Sequence, residues 1–370
     1  MKRQENFVLS ARAAALPPSG PPVLDEADGR LAHGIRRLNL NESAIPPSPR
    51  AIAAMQAALN EVAAYPDHGC FALRTRLSKA TGVAPGRILF GNGSGELLVA
   101  SAAIALNRGD EAVVPAPTFP AITKGIALAG GRQVAVAVKP DGVVDGEALL
   151  AAATPRTRLL YTCTPNNPTG GAMSGEALRQ LAQETPRDVL LVVDEAYFEF
   201  ARASAAADAL EAMALRKGPW LLTRTFSKAY ALAGMRIGYA FASDEVIASA
   251  LDKLRGSFNL SRVAIAGAAA AFDDQPYMRA LVQATIVERA RLAAGLAQLG
   301  FKTLPTEANF VTASADAQAG ALAARLAAAG ILVQALPWPM PTGSMRISVG
   351  SAEDTDAVLA AIRRALEALS

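Results

Sequence analysis

The sequence is poor in the residues that bind transition metals or form disulfide bonds. Its 370 residues include two cysteines and two histidines, which are too few soft ligands for a zinc site. Two cysteines neither require nor exclude a disulfide, and a reducing compartment is the simpler interpretation. We therefore expect a protein without a metal site.

The chain also lacks a block of basic residues and a long apolar run. The formal net charge is +3, and the densest basic spot is the pair Arg36-Arg37, so nucleic acid is not expected as a ligand. The longest apolar runs, around residues 97–106 and 263–272, are too short to span a bilayer. Arg12 interrupts the apolar part of the N-terminus and no clear cleavage site follows, which argues against a secretory signal. We expect a cytoplasmic protein with neither a membrane nor nucleic acid as partner.

Apolar residues are abundant and charged residues are scarce. Apolar residues make up 51% of the chain and charged residues 19%. The charged share lies below the usual quarter. This composition indicates a large buried core or a large buried interface. The length is sufficient for two domains.

Short apolar segments alternate with helical ones from about residue 50 onward. The candidate strands are RILFG, EAVVP, QVAVAV, RLLYTC, VLLVVD, WLLTRT and IGYAFA, and helical segments such as GELLVASAAIAL and GEALRQLAQET lie between most of them. Strands that are apolar nearly throughout and are separated by helices predict an α/β fold with a mainly parallel sheet flanked by helices.

The C-terminal part of the chain predicts a smaller α/β domain. A long helical stretch at 276–299 precedes a strand FKTLPTEANFVTAS, a helix AGALAARLAAAG, short strands ILVQAL and MRISVG, and a final helix TDAVLAAIRRALEAL. We expect a large domain over residues 49–257 and a small domain over 258–370. Residues 1–48 would form an N-terminal arm that also contributes to the small domain.

Four polar segments each follow a predicted strand, and in an open parallel sheet they would meet at the carboxyl edge. In the first, FGNGSGELL, the glycines Gly93 and Gly95 flank Ser94, which we expect to be the N-cap of the next helix. Free N–H groups at such a helix start suit a phosphate. An ordinary glycine turn is the alternative, and this segment alone favours it.

The second and third segments carry amide and carboxyl groups. YTCTPNNPTGG places Asn167 in a rigid loop between prolines, and a surface turn explains the whole string less easily. LLVVDEAYFEF ends an apolar strand with Asp194, and Tyr197 lies three residues on. A buried carboxylate needs a positive or hydrogen-bonding partner, although Asp194 could equally cap the following turn.

The fourth segment, TRTFSKAYALAGMRIGYA, combines a lysine with possible anion ligands. Lys228 lies in apolar surroundings near Arg236, and desolvation and a like charge both favour its neutral form. A neutral lysine is a nucleophile for carbonyl compounds. Thr225, Ser227 and Arg236 supply donors that suit a phosphate dianion. A helix with a solvated lysine is the alternative.

One ligand would satisfy all four segments, namely a phosphorylated aldehyde with a protonated ring nitrogen, and pyridoxal 5′-phosphate has these features. The ordered set GNGSGE, PNNPTG, DEAYFEF and TFSKAYALAGMRIGY resembles the fold-type I pyridoxal-phosphate aminotransferases of class I/II, and within them the histidinol-phosphate aminotransferase branch. LNLNESAIPPSP, AYPD, ANF and MRISVG extend the resemblance from about residue 38 to the end. The resemblance implies ping-pong transfer of an amino group between an amino acid or amine and a 2-oxo acid such as 2-oxoglutarate.

The resemblance also implies roles for individual residues. Lys228 would form the Schiff base with the cofactor and move a proton between it and the substrate α-carbon, while Asp194 would keep the ring nitrogen protonated. Tyr197 and Asn167 would donate hydrogen bonds to the ring oxygen. Phe119 would stack on the ring, where tyrosine is usual in the family.

The implied binding residues lie in all parts of the chain. The phosphate would be held by Gly93, Ser94, Gly95, Thr225, Ser227 and Arg236. Tyr65 would reach the phosphate of the neighbouring subunit, which implies a homodimer with shared active sites. Arg346 would bind the substrate carboxylate through a bidentate fork, with Asn309 beside it.

The sequence departs from the histidinol-phosphate branch near the expected substrate. Gln334 stands where the branch has a second arginine that helps to hold the substrate's phosphate, and glutamine cannot neutralise a dianion. Trp338 and Met340 follow it and would suit an aromatic or apolar side chain. Histidinol phosphate and an aromatic or apolar amino acid both remain candidate donors.

Transamination has two alternatives, a decarboxylase and a dinucleotide-binding protein. A phospho-amino-acid decarboxylase of the same fold, also dependent on pyridoxal phosphate, is the alternative enzyme. A dinucleotide-binding protein is not expected, because no acidic residue ends a second strand at the required distance from the glycines at 91–95.

Overall fold

The structure, a computed structural model, describes residues 34–314, 318–339 and 342–367. The strands are β1 (Arg36–Arg37), β2 (Ile88–Gly91), β3 (Glu111–Ala116), β4 (Arg132–Ala137), β5 (Thr157–Cys163), β6 (Leu190–Asp194), β7 (Trp220–Thr225), β8 (Gly238–Ala242), β9 (Lys302–Thr303), β10 (Phe310–Ser314), β11 (Ile331–Leu332), β12 (Gln334–Leu336) and β13 (Ser344–Ser348). The α-helices are α1 (Pro49–Ala58), α2 (Phe71–Thr81), α3 (Ser94–Ala105), α4 (Pro120–Ala129), α5 (Gly146–Ala151), α6 (Gly175–Glu184), α7 (Phe198–Ala203), α8 (Ala209–Met213), α9 (Glu245–Asp252), α10 (Arg262–Asp273), α11 (Gln275–Gln298), α12 (Ala319–Ala328) and α13 (Ala352–Glu367).

A seven-stranded sheet organises the larger part of the described chain. Its order is β2-β8-β7-β6-β5-β3-β4. β8 runs antiparallel to both of its neighbours, and the other pairs are parallel. All seven segments predicted as strands lie in this sheet, so the predicted α/β fold with a mainly parallel sheet is confirmed.

Both faces of the central strands of this sheet are covered, which explains why these strands are apolar nearly throughout. On β6, Leu191 and Val193 belong to one buried cluster, and Leu190 and Val192 belong to another on the opposite face. Successive side chains of a strand point to opposite faces, so neither face can be polar. The carboxyl edge is therefore the part of this sheet that is open to polar chemistry.

A second, antiparallel sheet is formed by the C-terminal part of the chain. Its order is β12-β13-β10-β9, and α11 packs both on this sheet and on α7 beside the large one. β1 pairs with β11, so the segment before α1 also joins this region. The predicted division at residues 48/49 and 257/258 stays a prediction, and residues 1–33 of the expected arm lie outside the described residues.

One strand prediction in this region is wrong. FKTLPTEANFVTAS was expected as a single strand, but it forms β9 and β10 with a loop between them. Pro305 in the loop has no N–H to donate to a strand partner, and the Thr306 hydroxyl donates to the carbonyl oxygen of Phe310 at 3.0 Å. The chain therefore forms a turn between β9 and β10 instead of a continuous strand.

The described ranges carry neither a membrane span nor a cluster of metal ligands. None of their helices combines the length and the apolar character needed to cross a membrane. No group of His, Cys, Asp and Glu within them could hold a metal ion.

A buried ion cluster holds together the carboxyl ends of β6 and β7. Arg224 donates to Glu195 at 2.7 Å and to Asp208 at 2.6 Å, and both Arg224 and Glu195 are buried. The guanidinium also lies 3.3 Å from the centre of the Phe198 ring. Since Glu195 directly follows β6, this cluster fixes the two strand ends that carry the candidate site.

We predict that Arg224→Leu lowers the free energy of unfolding by about 3–5 kcal/mol, because it leaves the buried Glu195 carboxylate without its partner. Arg179→Leu is the matched control: it breaks the exposed Arg179–Glu176 pair, which should cost less than about 1 kcal/mol. Urea unfolding followed by circular dichroism measures both. Equal losses in the two variants would contradict a structural role of the buried cluster.

Candidate active site

Asp194 is a buried carboxyl group at the end of β6. Its Oδ1 accepts from Thr223 Oγ1 at 3.0 Å, and its Oδ2 accepts from the Tyr161 hydroxyl at 3.3 Å. Burial raises its pKa to about 6, against the hydrogen bonds from Thr223 and Tyr161. No cation of the described residues forms an ion pair with it. A ligand with a positively charged group would therefore stabilise its ionised form.

Lys228 follows β7 and lies against a distant part of the chain. Its Nζ donates to the carbonyl oxygens of Leu40 at 3.1 Å and Asn41 at 2.8 Å. Burial lowers its pKa to about 7, and the charges of Arg346 and Arg236 act in the same direction. A substantial neutral fraction near pH 7 makes this amine a nucleophile and a base.

The start of α3 and Arg236 together form an anion-binding corner. The predicted N-cap, Ser94, is instead the first helical residue, and Gly93 is the N-cap with a φ of 73°. A Cβ at Gly93 would come within 2.5 Å of Arg236 Nη2, so the guanidinium occupies the space that a side chain would need. A helix N-terminus beside a guanidinium is well suited to a phosphate.

Gly238 brings two further donors to this corner. It pairs with Thr225 across β7 and β8, and a Cβ at this position would come within 2.4 Å of the Ser94 nitrogen. Thr225 Oγ1 donates to Ser227 Oγ at 2.9 Å and accepts from the Ser227 N–H at 3.1 Å. The absence of a side chain at Gly238 thus lets the β7 hydroxyls and the α3 N-terminus approach each other.

Tyr197 and Asn167 are held with donors available for a ligand oxygen. The Tyr197 hydroxyl accepts from Asn41 Nδ2 at 2.9 Å, so its own proton is not used in that contact. Arg346 Nη1 donates to Asn167 Oδ1, which identifies the carbonyl side of this amide and leaves its Nδ2 as the donor. Each group therefore has a donor that is not used in these contacts.

Arg346, on β13, is a buried cation without a carboxylate partner among the described residues. Nη2 donates to the Asn39 carbonyl oxygen at 2.5 Å, while Nε has no partner in the described ranges. Burial lowers its pKa. Asn309 Nδ2 donates to the Asn41 carbonyl oxygen at 3.1 Å, and Asn309 Oδ1 is also unpaired within the described chain. A carboxylate bound here would restore the pairing of the guanidinium.

Gln334 lies beside Arg346. The two residues are paired in register across β12 and β13, so their side chains are on the same face of the small sheet. Trp338 is half-buried and packs against the core cluster that contains Tyr197 and Phe310. Met340, which was expected nearby, lies outside the described residues.

Phe119 is placed next to the Asn167 loop. It immediately precedes α4, is half-buried, and packs against the core cluster that includes Ile122. The adjacent Thr118 donates to Asn166 Oδ1 at 3.0 Å. Phe119 therefore lies at the same sheet edge as the other candidates.

Tyr65 is the predicted site residue that lies apart. Its side chain is 77% exposed, and its ring stacks on Phe258 with centres 4.5 Å apart. Val62, Phe71 and Phe258 are exposed apolar side chains of the same region. Tyr65 thus faces outward on an apolar surface.

Three residues of the site were missed in the sequence. Tyr161 and Thr223 hold the Asp194 carboxyl group, but in an apolar strand they look like ordinary core positions. Asn41 contacts both Lys228 and Tyr197. The polar string LNLNES was a signal for Asn41, yet nothing local indicates which groups it contacts.

Comparison with known proteins shows the family to which the chain belongs. The family model for aminotransferase class I and II matches residues 35–362. The chain therefore belongs to this family, and the predicted enzyme class, a transaminase with pyridoxal phosphate as cofactor, is confirmed.

Individual relatives cover almost the whole chain. It is 37% identical to histidinol-phosphate aminotransferase 2 of Caulobacter vibrioides over 91% of this chain and 90% of the relative. It is 35% identical to an aromatic amino acid aminotransferase of Mycobacterium bovis over 94% and 96%. The crystal structure of histidinol-phosphate aminotransferase from Sinorhizobium meliloti in complex with pyridoxal-5′-phosphate superposes with a TM-score of 0.90 at 32% identity, covering 99% of this chain and 100% of that one.

We predict that Gly238→Ala weakens cofactor binding about tenfold, because the new methyl group pushes the α3 N-terminus away from Thr225. Gly234→Ala, in the short turn that precedes β8, is the matched control, since a Cβ there would meet no atom of the described residues within 4 Å. Titration of the cofactor-free protein with pyridoxal phosphate gives both dissociation constants. The interpretation fails if the two variants bind equally well.

Proposed function

We propose that the chain transfers the amino group of an amino acid with an aromatic side chain to a 2-oxo acid such as 2-oxoglutarate. The observation that carries this choice is the pairing of Arg346 with Gln334. A single guanidinium matches the one negative charge of an α-carboxylate. A phosphate dianion at this position would keep one charge uncompensated, since glutamine supplies none.

Histidinol phosphate is the second candidate donor. Similarity to relatives named histidinol-phosphate aminotransferase supports it, whereas similarity to the relative named aromatic amino acid aminotransferase supports the first candidate. The half-buried Trp338 near Gln334 also favours an aromatic side chain, because aromatic rings pack well against each other.

The donor set fits pyridoxal phosphate. Bound there, the cofactor supplies an aldehyde and a ring that withdraws electrons from the substrate α-carbon. Asp194, which lacks a cationic partner among the described residues, would hold a proton at the ring nitrogen. Tyr197 and Asn167 would donate to the ring oxygen, and Phe119 would pack against the ring face.

Different groups would bind the phosphate and supply the catalytic amine. The α3 start (Gly93, Ser94, Gly95), Thr225, Ser227 and Arg236 would bind the phosphate. Lys228 Nζ would take the proton from the substrate α-carbon and return it during amino transfer, a role that its lowered pKa supports. Arg346 and Asn309 would orient the substrate through its carboxylate.

We also propose a homodimer with shared active sites and a cytoplasmic location. The exposed apolar surface formed by Val62, Tyr65 and Phe258 supports a subunit contact, and Tyr65 would extend from it to the partner's phosphate. A monomeric mass in light scattering would contradict this arrangement. The free cysteines Cys70 and Cys163 support a reducing compartment.

We predict that phenylalanine and tyrosine convert the bound cofactor faster than histidinol phosphate does. The holoenzyme is mixed with each donor, and the loss of the cofactor's visible absorption is followed together with formation of the 2-oxo acid. Faster reaction with histidinol phosphate would overturn the choice of donor. Release of carbon dioxide with an amine product would instead favour the decarboxylase alternative.

Gln334 gives a matched pair of variants for the same assay. Gln334→Arg should raise kcat/KM for histidinol phosphate relative to phenylalanine by about tenfold or more, because a charged hydrogen bond to phosphate contributes about 1.5–3 kcal/mol. Gln334→Met introduces a side chain of similar size to glutamine but, unlike arginine, without a charge. It should give no such gain. If both variants behave alike, Gln334 does not face the substrate.

A further inference from the structure

Asn41 is a buried residue that forms hydrogen bonds to residues of both sheet regions. It has a left-handed φ of 55° and is 1% exposed. Its backbone N–H donates to Ser348 Oγ at 2.8 Å, and its carbonyl oxygen accepts from Lys228 Nζ at 2.8 Å. Its side-chain Oδ1 accepts from Ser348 Oγ at 3.0 Å, and its Nδ2 donates to the Tyr197 hydroxyl at 2.9 Å. One residue thus contacts the catalytic amine, Tyr197 and the strand that carries Arg346.

The Ser348 hydroxyl determines which way the Asn41 amide points. This hydroxyl has one proton, and it already accepts from the Asn41 backbone N–H. Donating that proton to Asn41 Oδ1 satisfies both groups. A flipped amide would present Nδ2 to Ser348 and leave the serine proton without this acceptor, although Ser348 is only 2% exposed. Since buried polar groups are nearly always paired, the orientation with Nδ2 toward Tyr197 is preferred.

This orientation fixes the direction of the Tyr197 proton. A phenol oxygen that accepts from Asn41 Nδ2 must send its own proton elsewhere. If Asn41 presented an acceptor instead, the phenol would donate to Asn41 and would no longer be a donor for a ligand. We propose that Asn41 is a positioning residue, oriented by Ser348, that keeps the Tyr197 hydroxyl as a hydrogen-bond donor to the cofactor's ring oxygen. This inference rests on the role of Tyr197 in the proposed function.

The same contacts tie the substrate-binding strand to the cofactor site. Ser348 and Arg346 are two residues apart on β13 and therefore face the same side of the small sheet. Ser348 acts on Tyr197 through Asn41, while Arg346 contacts Asn167, the second donor to the ring oxygen. A displacement of β13 would thus change both donors at once.

The test compares Tyr197→Phe, Asn41→Asp and the double variant as holoenzymes. Aspartate keeps the size of asparagine and tolerates the left-handed backbone, but an ionised carboxylate presents only acceptors and would take the Tyr197 proton. The readouts are the pH titration of the bound cofactor's visible absorption and the dissociation constant of pyridoxal phosphate. Losing a donor to the ring oxygen makes the chromophore more basic, so Tyr197→Phe should raise the apparent pKa of the titration by at least about half a unit.

Asn41→Asp should raise that apparent pKa in the same direction, and the shift in the double variant should be clearly smaller than the sum of the two single shifts. That non-additivity is the signature of action through Tyr197, because a purely electrostatic effect of the new carboxylate would persist without the phenol. Ser348→Ala, which acts one step further away, should give a smaller shift that also disappears in the Tyr197→Phe background.

Two results would overturn the inference. If Tyr197→Phe shifts the titration but Asn41→Asp and Ser348→Ala do not, or if their shifts add to it, Asn41 does not act through Tyr197. If Tyr197→Phe itself causes no shift, the role of Tyr197 in the proposed function is wrong and the inference fails with it. Ser348→Ala keeps the test decisive if Asn41→Asp does not fold.

Discussion

The desolvation of one lysine is the constraint on which the rest of the site depends. Lys228 lies between the carbonyl oxygens of Leu40 and Asn41, and Arg346 and Arg236 add positive potential around it. Burial and like charges both disfavour the ammonium form. The two carbonyl oxygens accept hydrogen bonds from Nζ and hold the amine in place. The structure thereby holds a reactive amine at a fixed position, as transfer of an amino group requires.

The pairing of charges distinguishes Arg346, a candidate ligand-binding residue, from the structural Arg224. Arg224 is buried but is paired with Glu195 and Asp208, so its charge is used within the fold. Arg346 is also buried, yet it contacts only carbonyl and amide oxygens in the described chain. Asp194 is the opposite case, a buried acid held by neutral hydroxyl groups. These unbalanced charges are complementary to a ligand that carries an anion and a protonated ring.

Much of this arrangement could be predicted from the sequence, because it follows from local patterns. The apolar strands predicted the large sheet, and the motifs after them indicated Asp194, Lys228 and Arg236 as candidate site residues, which stay predictions. The contacts of Asn41 could not be predicted, since Asn41 and Ser348 are 307 positions apart. The close approach of Arg236 to Gly93 could not be predicted either, because only the folded chain brings them together. Local chemistry thus indicates which residues react, while long-range packing decides how they are oriented.

The pKa of the Lys228 amine tests this account most directly. Competitive acetylation of the cofactor-free protein across a pH series, read by mass spectrometry, reports the neutral fraction of each lysine. Because the folded-state pKa is lowered to about 7, reactivity of Lys228 should rise with pH and reach half of its maximum near that value. A Lys228 that titrates near the ordinary lysine value of about 10.4 would contradict the claim that its surroundings prepare it for catalysis.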